Sequence, residues 1–456
     1  MSRGSILVIT LVFTSVFLVI FIGLAGLTSR HFHQGALQFQ EDAALHLAEA
    51  GLHYGRWRLS HDSENFEAES KTISDQFAGE TGSFDVSFEP PSSGSTVVAI
   101  TSTGRTSSPA SPDVTLRVRY GIPSFAQFSA LFNSDYWFGD SDVLSGPSHS
   151  NGGIRMDGLS NSVVSSALET YICQPYHNCN YVEKPGVWGT GQDQDLWEWP
   201  VPPVNFNAIS TDLLDMQLIA EASATYYDRS NAFGYHLIFH DTNTYSIYTV
   251  TSLGPPIYSW APPEKKFTYT SVDIGTEVLL ETKSVPAGGI IYVEDTVWVE
   301  GDIRDRVTVA AGVFPDQPST NADVIINGDL SYGGVHDGSR VLGVIAQRHL
   351  LLPWSAAEDV LDMDGAYIAK SGSFGRRYYP NCCGAQAHRL KSKLNIFGMI
   401  GLNQLSVDTT YVNGSGTVIS GYRETERVYD PNLLYNPPPY FPTTGEYEFL
   451  SWERVN

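Results

Sequence analysis

Two aspartates one strand period apart, Asp362 and Asp364, stand ahead of the paired arginines Arg376 and Arg377. On a strand such carboxylates project from one face, where they could serve acid–base hydrolysis of a glycosidic bond or hold Ca²⁺. The structural reading of the same residues is stronger. Asp362-Met363-Asp364-Gly365 reads as an acidic turn before a strand, and Arg376 and Arg377 read as surface cations. Catalysis needs convergent geometry that the sequence does not display. Ser148-His149-Ser150-Asn151-Gly152 offers a hydroxyl and an imidazole, but no G-x-S-x-G elbow or ordered triad accompanies them. A polar turn whose His and Asn satisfy backbone groups is the expectation there. Between Gly139 and Asp142 only Asp140 and Asp142 are hard ligands, too few for a Ca²⁺ loop. P-loop, dinucleotide, zincin and haem motifs are absent, so no catalytic residue, cofactor or metal is expected.

The four cysteines form two close pairs, Cys173 with Cys179 and Cys382 beside Cys383. Four cysteines allow three pairings, and sequence alone does not choose among them. A disulfide closing the short Cys173 to Cys179 loop is the simplest reading in an oxidising compartment. Adjacent cysteines bridge only through a strained ring. With His388 nearby, Cys382 and Cys383 are a disulfide or metal candidate whose ligand set is incomplete. Trp188, Trp197, Trp199 and Tyr176 cluster in the same region as the first pair and could contact a partner or glycan, although packing is the default for Trp.

These residues need a scaffold, and the composition describes one. The 456 residues are 42% hydrophobic, 12% aromatic and only 17% charged, with 41 Gly and 25 Pro, which points to β-structure with many turns. A formal net charge of −23 excludes a nucleic-acid phosphate backbone as partner and disfavours electrostatic attraction to anionic lipid. Three strand-like runs lie at 83–88, 96–102 and 114–120, the last alternating as Val114-Thr115-Leu116-Arg117-Val118-Arg119-Tyr120. From about Phe125, short β-branched runs closed by Gly, Asn or Asp recur, for example Val297-Trp298-Val299-Glu300-Gly301 and Val324-Ile325-Ile326-Asn327-Gly328. Such spacing suits a sandwich, a barrel or a solenoid. We favour a right-handed parallel β-helix, with an excursion of the chain at about 165–284 that contains an amphipathic helix over 212–227. The proline-rich stretch 429–442 is expected to lie along the solenoid or cover its edge.

At the N-terminus, Met1-Ser2-Arg3-Gly4 precedes a nearly continuous apolar run from Ile6 to Leu27, about the ~20 residues a membrane-spanning helix needs. The pattern continues as an amphipathic helix over 38–59, with Leu45, Leu52 and Leu59 at heptad spacing, Ala48 and Gly55 on the same stripe, and a soft point near Gly35. A plain signal anchor with a juxtamembrane helix would read the same way.

The short basic leader ending at Gly4 resembles the class III leader cut by prepilin peptidase. Residues 41–52, with Ala44, Ala48-Glu49-Ala50-Gly51 and Leu52, resemble the A-x-x-x-A-E-A-G stretch of PilX-like minor pilins and K-type pseudopilins. The resemblance covers about the first sixty residues. It implies cleavage between Gly4 and Ser5, leaving Ser5 as the mature N-terminus. Major pilins carry Glu at the fifth mature position; here Ile9 stands there, which favours a minor or tip subunit. Residues 291–303, 307–311, 343–346 and 429–442 look like the β-helical heads of pilus-assembly proteins with this anchor.

The organisation expected is therefore a leader at 1–4, a transmembrane and amphipathic pilin helix at 5–60, a small antiparallel sheet at 61–124 and a β-helix-like head at 125–456. The expected role is a structural or adhesive minor subunit of a type IV pilus or related secretion filament. Its partners would be other pilins, the pilus assembly platform, prepilin peptidase, the membrane and a surface or glycan ligand. It would sit in the bacterial inner membrane with an extracytoplasmic C-terminal domain, then at the cell surface or in the pilus. The rival readings are a membrane-tethered polysaccharide-active β-helix enzyme and a surface protein with a plain anchor.

Overall fold

A computed structural model describes residues 3–455 except 64, 76–78, 93, 109–110, 141, 207, 262–265, 287–288, 356–357, 404–406, 414–416 and 446. The chain divides into two units: Met1–Pro91 with Val97–Gly121 and Glu446–Asn456, and Ser92–Thr96 with Ile122–Gly445.

In the first unit, one α-helix runs unbroken over Arg3–His61. A helical Gly costs only about 1 kcal/mol against Ala, so Gly35 does not interrupt it. From Val8 to Leu27 the large apolar side chains are exposed, as in a helix long and apolar enough to cross a membrane. Its C-terminal half packs on a five-stranded antiparallel sheet made of Glu69–Asp75, Gly79–Glu89, Val97–Thr106, Val114–Gly121 and Glu448–Val455, in that order. The packing seam is built from small residues. Ala44 and Ala48 are fully buried. A Cβ on Gly104 would lie 2.1 Å from the Ala44 carbonyl oxygen, and one on Gly51 would lie 2.1 Å from Ser102 Oγ. Helix and strand backbones therefore touch, and Leu52, Leu59, Ile100, Leu116 and Val118 fill the core on either side. Leu45 is only partly buried, so the stripe lies slightly off the heptad expected from sequence.

The antiparallel sheet holds strands that the sequence pattern misses. Glu69–Asp75 contains one large apolar residue, Ile73, and a largely exposed edge strand with a single apolar contact has no period-2 signature. Glu448–Val455 pairs with Val114–Gly121, so the end of the chain belongs to this unit and not to the head, where the sequence placed it. Its pattern of exposed residues carries no record of so distant a partner.

The second unit is a coil of parallel strands in three ladders. The first ladder stacks Tyr226–Tyr227, Gly289–Val293, Arg306–Ala311, Val341–Ala346, 366–369 and 399–402 in chain order. Next to 400–402, however, comes Ala130–Phe132, followed by Ser148–Ser150, Val164–Ser166 and Trp197–Glu198. The chain thus enters the coil in mid-stack, winds to one end, crosses to the other and winds back. Alternate residues point inward (Ile291, Val309, Val344, Ile400, Phe132) to a common core. The outward set (Tyr292, Ala310, Ile345, Ile368, Met399, Leu131) is covered by the helix Ala208–Ala222 through Leu213, Met216 and Ala220, and by Leu433 and Phe441.

That helix is the crossing. Fifteen residues rise about 22 Å, several times the ~4.8 Å strand spacing. It begins earlier and ends sooner than the span 212–227 read from sequence, because Tyr226–Tyr227 joins the ladder as a strand. The excursion is also less complete than 165–284. Val187–Trp188, Trp197–Glu198 and Tyr235–His240 all pair in parallel with coil strands. What leaves the coil is the hairpin Thr170–Cys173 with Val182–Pro185, the crossing, the antiparallel strands Thr244–Leu253 and Ile274–Ser284, and the hairpin Ile257–Ala261 with Lys266–Thr270 between them. The proline-rich stretch lies on the outer face: Thr308 donates to the Pro439 carbonyl, Arg306 to those of Asn436 and Pro437, and a Cβ on Gly343 would meet Pro438 at 2.8 Å.

Candidate functional site

Where the returning coil meets the first rung of the outgoing one, strand Val418–Val428 pairs with 390–397 on one side and with Val143–Ser145 on the other. Outward positions on a strand repeat every second residue, so Glu424 and Glu426 project from the same face, in register with Lys393 and Val143 respectively. The hairpin Thr410–Val412 with Val418–Val428 rises along one side, and Tyr136–Phe138 leads into the turn at Asp142 on the other. Between them is a cleft of about 640 Å³, within the ~300–1,000 Å³ usual for ligand sites. Tyr136, Trp137, Asp142, Lys393, Thr410, Arg423, Glu424, Glu426 and Arg427 line it, together with Val143, Thr409, Val412, Val418 and Thr425.

Each aromatic wall is held from behind. Tyr136 stacks on Phe132 at 4.1 Å. Trp137 lies in register with Arg155, whose guanidinium is 4.5 Å from the indole ring, and its Nε1 donates to Asp157 Oδ2 at 2.8 Å. The same Arg155 is 5.1 Å from Trp188 on the next rung, so an aromatic–cation–aromatic column stiffens this corner. Arg427 is buried, and Nη1 meets Asp142 Oδ1 at 3.2 Å. Burial works to lower its pKa, but the Asp142 carboxylate outweighs it and the guanidinium holds its proton more tightly than usual. Lys393 pairs with Glu426 on the cleft floor.

Of the residues singled out from sequence, Asp142 lines the cleft and the others fall elsewhere. Asp362 Oδ1 accepts from Asn395 Nδ2 at 2.7 Å, and Asp364 Oδ2 accepts from Tyr332 N at 2.8 Å. Burial raises the Asp364 pKa. Arg376 is no surface cation: it is 1% exposed and donates to the carbonyls of Pro353, Trp354, His388 and Arg389, tying down the loop that follows. Arg377 is half-buried. His149 is buried between Ser165 Oγ and Asn151 Oδ1, each 3.0 Å from a ring nitrogen, while Ser148 Oγ turns away to Ser129 Oγ at 3.2 Å. Asp140 is exposed.

Cys173 and Cys179 form a disulfide with Cα atoms 6.0 Å apart. Cys382 and Cys383 are free thiols, not a vicinal disulfide, and His388 sits edge-on to Trp354 at 4.8 Å. Among the described residues no group of three or more His, Cys, Asp and Glu side chains is placed to hold a metal. Trp188 donates to Tyr171 Oη, Trp197 packs against the core and Trp199 is exposed. The side chain of Tyr176 lies outside the described residues, as do Met1 and Ser2; Gly4 and Ser5 fall in the first turns of the long helix.

Sequence reading missed both the cleft and a second charged cluster. His236 Nδ1 is 2.8 Å from Glu277, and Nε2 is 3.4 Å from Glu300. Burial pulls the His236 pKa down, yet the two carboxylates prevail and raise it. The members of each group come from strands far apart in the chain, so no local motif announces them.

No family model matches the chain, and no curated protein matches it. Among solved structures, the competence-associated pilin ComZ from Thermus thermophilus aligns over 91% of this chain and 97% of that one, at 12% identity and a TM-score of 0.32.

Proposed function

We propose that the chain is a non-enzymatic minor subunit of a type IV pilus or a related secretion filament, with its coiled head as the displayed, adhesive part. The observation that carries this reading is the long helix. It is apolar and exposed from Val8 to Leu27, then packs on an antiparallel sheet through Ala44, Ala48 and Gly51, residues of the same stretch that resembles minor pilins. A helix of this kind serves as a single inner-membrane span before assembly and as a filament-core element afterwards. The head would then be extracytoplasmic, and the partners would be other pilins, the assembly platform and prepilin peptidase. The test is expression of the full chain with and without prepilin peptidase, followed by N-terminal sequencing. The reading expects a mature terminus at Ser5 only when the peptidase is present. A chain that still begins Met1-Ser2-Arg3 in both cases refutes it.

A further inference from the structure

The geometry points to the cleft over Val418–Val428 as a binding site for a short neutral oligosaccharide, an inference that rests on reading the head as a displayed binding surface. Charge decides the ligand class first. The lining acids Asp142, Glu424 and Glu426 are matched in number by Lys393, Arg423 and Arg427. Two of those cations are already paired inside the site, Arg427 with Asp142 and Lys393 with Glu426. A formally neutral cleft on a chain of net charge −23 gives a polyanion no foothold. Nor does it hold the surplus of carboxylates that would select a polycation.

The surface chemistry decides the rest. Trp137 lines the cleft beside carboxylates, threonine hydroxyls and a guanidinium, with the inward-packed Tyr136 next to it. A pyranose offers the complement: an apolar C–H face for the rings and hydroxyls that both donate and accept. A purely apolar ligand would leave the Glu424 and Glu426 carboxylates facing it without solvent. The floor strand is held on both sides by parallel pairing and Trp137 is clamped by Arg155 and Asp157, so the site is preformed.

The experiment uses the full chain in lipid nanodiscs, which avoids glycosidic detergents. Calorimetric titration is run with maltotetraose, cellotetraose, tetra-N-acetylchitotetraose and tetragalacturonate. At least one neutral tetrasaccharide should bind, and Trp137→Ala should weaken it by at least about tenfold, as for an anchoring aromatic. Glu424→Gln changes an exposed side chain and should weaken the same sugar several-fold while leaving thermal unfolding unchanged, so a folding defect in the Trp137 variant does not obscure the result. Binding of no neutral tetrasaccharide, tighter binding of tetragalacturonate, or affinity unchanged by both substitutions overturns the inference. None of these outcomes depends on N-terminal processing, so failure here is distinct from failure of the pilin reading.

Discussion

Arg427 is a cation sunk into the wall of the coil, and Asp142 is the carboxylate that meets it. Replacing Asp142 with Asn keeps the shape and removes the countercharge. The guanidinium cannot escape by releasing its proton, since its pKa lies above the usual range and is already beyond any working pH. Breaking a buried pair from one side costs about 3–5 kcal/mol. The Asp142 side chain keeps 21% of its exposure, so water reaches the site and the lower end, about 3 kcal/mol, is the expectation. The second unit has about 330 residues, for which an unfolding entropy of about 0.7 kcal/mol/K turns that loss into a fall of roughly 4 °C in Tm. Asp142→Asn combined with Arg427→Met removes both charges and should recover most of the loss, because a neutral pair of similar volume bears no desolvation penalty. The assay is circular dichroism melting of the full chain, read as a double-mutant cycle. A Tm for the single variant within about 1 °C of the parent, or a double variant no more stable than Asp142→Asn alone, would refute the reasoning.

Three further outcomes follow from the packing and electrostatics. Gly51→Val forces side-chain atoms into Ser102 and Phe84 and should destabilise the first unit by about 1–3 kcal/mol, seen as faster proteolysis of the helix–sheet unit while the coil resists. Cys173→Ser opens a loop of sequence separation 6 and should cost about 2 kcal/mol, with faster hydrogen exchange confined to Thr170–Cys173 and Val182–Pro185; unchanged exchange there would count against a stabilising disulfide. His236 is raised in pKa when folded. Its contribution is therefore full below the unfolded value of about 6.5 and is lost as pH rises through the folded pKa. His236→Gln should flatten stability across that window, and an unaltered pH profile would show that the Glu277 and Glu300 contacts have no energetic effect.

Much of the fold was legible because it is local. The apolar run from Ile6, the alternation in Val114–Gly121 and the β-branched runs at Val297 and Val324 each state their element within a few residues. What stayed hidden is non-local. Nothing near Ala130 says that it stacks on Ile400, and nothing near Trp452 says that it pairs with Val118. The cleft stayed hidden for the same reason, since Trp137, Lys393 and Glu424 become neighbours only once the coil closes on its own first rung. The chemistry that sequence did offer, at Asp362, Ser148 and Arg376, was polar residues working as internal fasteners. Buried polar groups must be paired, and a coil with tight turns supplies many such places.

Strand Glu448–Val455 has a further consequence, which concerns timing. Until it arrives, Val114–Gly121 is the outer strand of its sheet and presents a row of unpaired backbone N–H and C=O groups. Those residues leave the ribosome early, whereas their partner emerges only after the entire coil. A nascent chain therefore carries an adhesive edge through most of its synthesis, and a chain broken off before residue 446 carries it permanently. Glu448–Val455 therefore closes an edge that would otherwise be open to pairing with other strands.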